Sequence, residues 1–267
     1  MTKGGKSHGR LAIGATEGPR ELMSDRPDLA GAWVARVITL FPESFPGVLA
    51  ASLTGKALQD GLWRLEPIDL RTFGHGKHRN VDDTPAGGGA GMVLRADVMG
   101  RAIRFAMKGV PQDPARWPLV YFSPRGKPFD QAMARRFANT DGMTLICGRF
   151  EGLDERVIEH FDIEEVSLGD FVMTGGEIAA QAVLDATVRL MPGVLGNAVS
   201  TEDESFTQGL LEHPQYTRPA EWEGRTIPEV LTSGDHAAVD RWRRGEAERI
   251  TRERRPDLWK TTKGDTD

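Results

Sequence analysis

The chain has one cysteine, Cys147, in 267 residues. A lone cysteine excludes an intramolecular disulfide, speaks against a cysteine-rich zinc site and fits a reducing, cytoplasmic setting. No apolar run approaches the ~18 residues of a membrane span. Lys3, Lys6 and Arg10 are followed by no apolar stretch, so no secretory signal is expected there. The net charge of −5 argues against non-specific coating of nucleic acid, but it leaves room for a local basic footprint. Two nucleotide-binding signatures are also missing. No Lys-Ser/Thr follows the glycine cluster at 87–91, which excludes a P-loop. No GxGxxG directly follows an early strand, which removes the dinucleotide fingerprint of a dehydrogenase.

Glycine is abundant, at 31 residues, and clustered. Residues 241–255 hold seven arginines and three glutamates, and residues 71–79 hold three basic residues, two histidines and no acid. Charge alone makes the first stretch a solvated helix face. Residues 1–32 lack a hydrophobic period and read as a flexible extension. From Trp33 the pattern predicts strands at 34–40, 62–70, 119–123, 143–147 and 163–168. It predicts helices at 44–60, 96–108, 128–139, 153–160 and 177–190. This alternation implies a mostly parallel α/β sheet. Residues 195–206 read as an acidic linker. Beyond it a helix over 235–254 places a small helical domain at 207–267.

Two glycine-bearing segments directly follow predicted strands, where ligands bind in such sheets. Residues 147–156 (CGRFEGLDER) follow a predicted strand: Gly148 opens space there, and Glu151 can accept hydrogen bonds from a ligand amine or hydroxyl. Asp154, Glu155 and Arg156 read as a helix start with surface ion pairs. Residues 168–177 (LGDFVMTGGE) run from strand to helix, and Gly175-Gly176 permits a tight turn able to present backbone groups to an adenine edge. The cluster at 86–92 (AGGGAGM) reads, on its own, as a flexible loop.

Taken in order with LFPESF (40–45), HRNVDDTPAGGGAGM (78–92), SPRGKPFDQ (123–131), PGVLG (192–196), ESFTQGLLEHPQYTRP (204–219) and SGDHAAVDRWRR (233–244), these segments resemble the bacterial tRNA (guanine-37-N1)-methyltransferase family of the SPOUT class. The likeness spans residues 36–244, most of the chain. It implies a parallel α/β domain with a trefoil knot at 33–194, a linker at 195–206 and a helical tRNA-binding domain at 207–267. It also implies S-adenosylmethionine as methyl donor, suggests magnesium, and makes the enzyme a cytoplasmic homodimer acting on the tRNA anticodon stem-loop. The matching donor-binding residues are Tyr121, Phe122, Ser123, Pro124 and Gly126; Gly148 and Glu151; and Leu168, Gly169, Asp170, Phe171, Val172, Met173, Gly175 and Gly176.

Guanine N1 carries a proton and must lose it at or before methyl transfer, a task that a carboxylate within hydrogen-bond reach can perform as general base. Negative charge then spreads to O6, where a cationic donor stabilises it. The resemblance places the base at Glu204, where the family has aspartate, with Asp203 as the alternative, and the O6 partner at Arg189. Other departures are Ala86 for an aromatic, Ala90 for proline and Phe150 for tyrosine. A SPOUT-class enzyme acting on another RNA position is the neighbouring alternative.

Overall fold

The computed structural model describes residues 31–195, 205–206 and 209–263. Asp203 and Glu204, and most of the expected linker, lie outside the described residues. From Ala32 onward the chain clusters as one compact unit.

The elements run β1 (Trp33–Thr39), α1 (Ser52–Gln59), β2 (Trp63–Asp69), β3 (Asp82–Asp83), β4 (Val93–Leu94), α2 (Ala96–Ala106), β5 (Leu119–Pro128), α3 (Gln131–Ala138), β6 (Gly142–Ile146), α4 (Glu155–Phe161), β7 (Glu164–Ser167) and α5 (Glu177–Val188). A five-stranded sheet has the order β2-β1-β6-β5-β7, and each neighbouring pair is parallel. Side chains alternate across it, as strand geometry requires. Ala35, Val37, Val120, Phe122, Met143 and Leu145 enter one core with Ala57, Phe137, Val183 and Leu184, residues of α1, α3 and α5. Ile38, Leu119, Tyr121 and Ile146 enter the other with residues of α2 and α4. In α2 the buried Val98, Met99, Ala102, Ile103 and Ala106 form one apolar stripe at helical spacing. Helices thus cover both faces of a parallel sheet, as the alternation predicts.

Three expectations change in detail. The helix expected over 44–60 is a 3₁₀ turn at Gly47–Ala50 followed by the short α1, because positive φ at Gly47 (+56°) and Ser52 (+52°) breaks the helical path. The strand expected to stop before Pro124 continues to Pro128, because its pairing with β7 is interrupted and then resumes. The helix predicted from 128 begins at Gln131, where the Asp130 side chain accepts a hydrogen bond from the Met133 amide at 2.7 Å.

Downstream, a two-residue turn joins β8 (Glu221–Trp222) to β9 (Arg225–Thr226). The helix expected over 235–254 is α6 (His236–Arg254), capped by Asp235, whose carboxylate accepts from the Ala238 amide at 3.0 Å. A further helix, α7 (Pro256–Lys263), follows. Leu211 N–H donates to Thr251 Oγ1 at 2.8 Å, tying the chain at Leu211 to α6.

Candidate functional site

Strands β6, β5 and β7 are adjacent, and an excursion inside β5 meets the turns that follow β6 and β7. In β5, Phe122 and Lys127 both stand opposite Val166, so residues 123–126 loop out of the ladder. Arg125 N–H donates to Ser123 Oγ at 3.2 Å, and its guanidinium reaches Glu155 at 2.9 Å and Glu165 at 3.2 Å. After β6, residues 148–152 turn sharply with Phe150 at φ +59°, and Glu151 N–H donates to the Met92 carbonyl at 2.9 Å. The glycine cluster therefore joins the Glu151 turn through Met92. Gly91 packs against the Glu151 side chain, which a methyl group at Gly91 would overlap.

The third turn, residues 168–176, is fastened to the second by Gly176 N–H donating to the Gly148 carbonyl at 3.0 Å. This approach requires glycine. A Cβ on Gly176 would sit 2.8 Å from the backbone Cα of Cys147, and one on Gly148 would sit 2.7 Å from the Tyr121 ring. Between the three turns lies a cavity of ≈ 270 Å³.

A buried polar network stands behind it. Glu177 opens α5 and is 4% exposed. Thr39 donates its hydroxyl to Glu177 Oε1 at 2.8 Å, and Arg149 Nη2 lies 2.8 Å from Oε2. That second contact is an ion pair without hydrogen-bond alignment, and both Oε2 and Arg149 Nε lack a directional partner. The Arg149 guanidinium lies 4.4 Å from the centre of the Phe41 ring and donates from Nη1 to the Thr174 carbonyl at 3.3 Å. Burial pushes the adjacent Cys147 thiol well above its ordinary range; the Glu177 carboxylate adds to this and Arg149 opposes it. Cys147 is therefore a packing residue rather than a nucleophile. Burial also raises the Tyr121 phenol, partly offset by a hydrogen bond with the Leu153 backbone.

Of the residues expected to hold a donor, Tyr121, Phe122, Ser123 and Pro124 line the cavity from the first turn, and Gly148 and Glu151 from the second. Leu168, Gly169, Phe171, Val172, Met173, Gly175 and Gly176 line it from the third. Gly126 and Asp170 do not. Gly126 instead packs against the Glu165–Val166 backbone, with no room for a side chain. Arg149, Phe150 and Thr174 also line the cavity; they fall inside the expected segments, though the sequence assigned none of them to donor binding. Gly152 lines it from within the 147–156 segment, and Val166, Ser167 and Ala179 from just outside the expected segments. Asp154 caps α4 and pairs with Arg156 at 2.6 Å, the structural role expected of it.

Arg189 is not brought to this cavity. It caps the carboxyl end of α5, a helix of 12 residues whose amino end borders the cleft. At ~1.5 Å rise per residue the two ends lie about 18 Å apart. Among the described residues no group of three or more His, Cys, Asp or Glu side chains could hold a metal, and no helix is long and apolar enough to cross a membrane.

Residues 34–261 match the family described as tRNA (Guanine-1)-methyltransferase TrmD. The chain is 70% identical over 237 residues to the tRNA (guanine-N(1)-)-methyltransferase of Ruegeria sp. (strain TM1040), covering 89% of this chain and 96% of that one. Proteins of the same name from Jannaschia sp. (strain CCS1) and Brucella suis are 69% and 56% identical, again over 89% of this chain and over 96% and 95% of their own. With matches of this extent running through all three turns of the cleft, the chain belongs to the tRNA (guanine-1)-methyltransferase family.

Proposed function

We propose that the protein transfers a methyl group from S-adenosylmethionine to N1 of guanine 37 in the anticodon loop of tRNA. Family membership supports the guanine-N1 chemistry and the tRNA substrate. The observation that carries the donor site is the convergence on one cleft of the excursion inside β5 and the turns after β6 and β7.

The cleft fits the donor chemically. Leu168, Met173 and Ala179 supply apolar surface for a purine and ribose, and Glu151 supplies an acceptor for an ammonium or hydroxyl group. Glycines at 148, 169, 175 and 176 let peptide groups approach a ligand closely. When bound, S-adenosylmethionine supplies an electrophilic methyl group on a sulfonium. The trefoil knot is part of the same reading, supported by the fastening of the 168–176 turn onto the 148–152 turn.

Glu204 is assigned as the base that takes the N1 proton, with Asp203 as the alternative, and Arg189 as the cation facing O6. The distance of Arg189 from its own cleft supports a homodimer in which each Arg189 serves the site of the other copy. The anticodon stem is assigned to the arginines of α6, within the domain at 207–267, through phosphate contacts. A flipped base in a single-stranded loop can reach the sulfonium at low unstacking cost. The cytoplasm is the assigned compartment. The described residues offer no magnesium cluster, so no step is assigned to that ion.

Unmodified tRNA bearing guanine at position 37, methylated by the purified protein and digested to nucleosides, is expected to yield 1-methylguanosine mapped to that position. A methyl group found elsewhere would favour an enzyme for another RNA position. Glu204→Gln is expected to lower turnover by about 10²–10⁴-fold, more than Asp203→Asn. Near-normal turnover in Glu204→Gln would reject the base assignment.

A further inference from the structure

Glu177 does not line the cleft, yet it anchors a residue that does. The network converges on the Glu177 carboxylate from two sides. Phe41 N–H donates to Thr39 Oγ1 at 2.9 Å, and the Thr39 hydroxyl donates onward to Glu177 Oε1 at 2.8 Å. Glu177 Oε2 then faces Arg149, which reaches the Thr174 carbonyl. The guanidinium is held between the Phe41 ring and Gly175, which packs so closely that a Cβ there would overlap Arg149. Four pieces of chain are thereby joined: the end of β1, the turn after β6, the turn after β7 and the start of α5.

Stability alone does not call for this arrangement. A buried carboxylate–guanidinium pair carries a desolvation cost that its attraction often fails to repay, and apolar residues of the same volume often serve as well. The pair here is also incompletely hydrogen-bonded, which makes it a poorer stabiliser still. What it does fix is the spacing between two of the three turns that form the cleft. The carboxylate gains from its place in the first turn of α5, whose Gly176 cap offers no side chain.

We infer that Glu177 is a positioning residue for methyl-donor binding, acting through Arg149 to set the gap between the 148–152 and 168–176 turns. This rests on reading the cleft as the donor site. Glu177→Gln keeps an acceptor for Thr39 and removes the charge that orients Arg149. Thr39→Val removes the hydroxyl at nearly constant volume and leaves the charge.

Calorimetry with S-adenosylmethionine on the full chain tests the inference. Glu177→Gln is expected to weaken donor binding on the order of tenfold, and Thr39→Val about threefold, the scale of losing one polar contact to a charged group and one to a neutral group. In kinetics the donor KM rises while kcat at saturating donor stays within about threefold. The affinity for tRNA, by filter binding, stays within about twofold. A merely structural role would lower the melting temperature but leave donor affinity of the folded protein unchanged. Donor affinity within about twofold of wild type in folded Glu177→Gln would overturn the inference; if that variant does not fold, the same result in Thr39→Val overturns it. Failure of the wild type to bind the donor is a different outcome, which overturns the donor-site reading and the inference with it.

Discussion

Replacing Gly176 by alanine is expected to loosen the cleft and destabilise the fold together. The added Cβ would lie 2.8 Å from the Cys147 Cα and 3.1 Å from the Gly148 amide nitrogen. Ordinary contact begins near 3.4 Å, so the backbone must yield by about 0.6 Å. Neither neighbour is a flexible side chain: Cys147 is buried directly after β6, and its amide donates to the Ile38 carbonyl at 2.9 Å. Overpacking of this kind costs about 1–3 kcal/mol. The movement also stretches the Gly176–Gly148 hydrogen bond, worth about 0.5–1.5 kcal/mol. A combined loss of about 2–4 kcal/mol, at ~2–4 °C per kcal/mol, lowers the melting temperature by roughly 4–16 °C. Donor affinity, measured by calorimetry below the transition, is expected to fall on the order of tenfold. Gly245→Ala is the matched control. Gly245 lies inside α6 with open space where its Cβ would go, so alanine there stabilises by about 0.5–1 kcal/mol and leaves donor affinity alone. A Gly176→Ala protein that melts within about 1 °C of wild type and binds the donor normally would refute the close-packing argument.

Arg243→Glu is expected to weaken tRNA binding about tenfold or more at low salt, with a shallower salt dependence and unchanged donor affinity; equal tRNA affinity would remove α6 from the docking surface. A second expectation concerns acid stability. The hydrogen bond from Arg95, helped by His75, holds the Asp97 carboxyl well below the usual carboxylate range. Its folded state therefore binds a proton less readily than its unfolded state, and the stabilisation is present above the unfolded pKa and lost as pH falls through the folded one. Because Asp97 is 47% exposed, solvent screening limits the gain to less than ~1 kcal/mol. Asp97→Asn is expected to melt slightly below wild type at pH 7, and that gap is expected to close in increasingly acidic buffer; a gap that widens with acid would contradict the assignment.

The parts of the fold that follow from local patterning were legible in the sequence. Val37 and Ile38 alternate into opposite cores, and the α2 stripe fixes its buried face. The α1 region was not, since the positive φ of Ser52 has no composition signal and helical spacing continues across it. The β8–β9 turn was missed for a related reason: Glu223 takes φ +50° beside Gly224 at +75°, a geometry that glutamate rarely adopts. The helix α7 had a usable signal, Pro256 at its first position. At the site, glycine-rich turns after strands pointed to the segments that line the cleft. The Arg149–Glu177–Thr39 network was invisible, because its members are 28 and 138 residues apart and only the folded sheet edge brings them together.

The interruption in β5 has a consequence for how such a protein can diversify. Hydrogen-bonded pairing with β7 holds on both sides of residues 123–126, and the Phe122 and Lys127 positions are fixed by Val166 rather than by the length of chain between them. Lengthening or shortening that excursion by a residue would reshape one lip of the opening while the strands beneath keep their partners. The protein thus has a place where the shape of the cleft can drift without the scaffold having to be rebuilt.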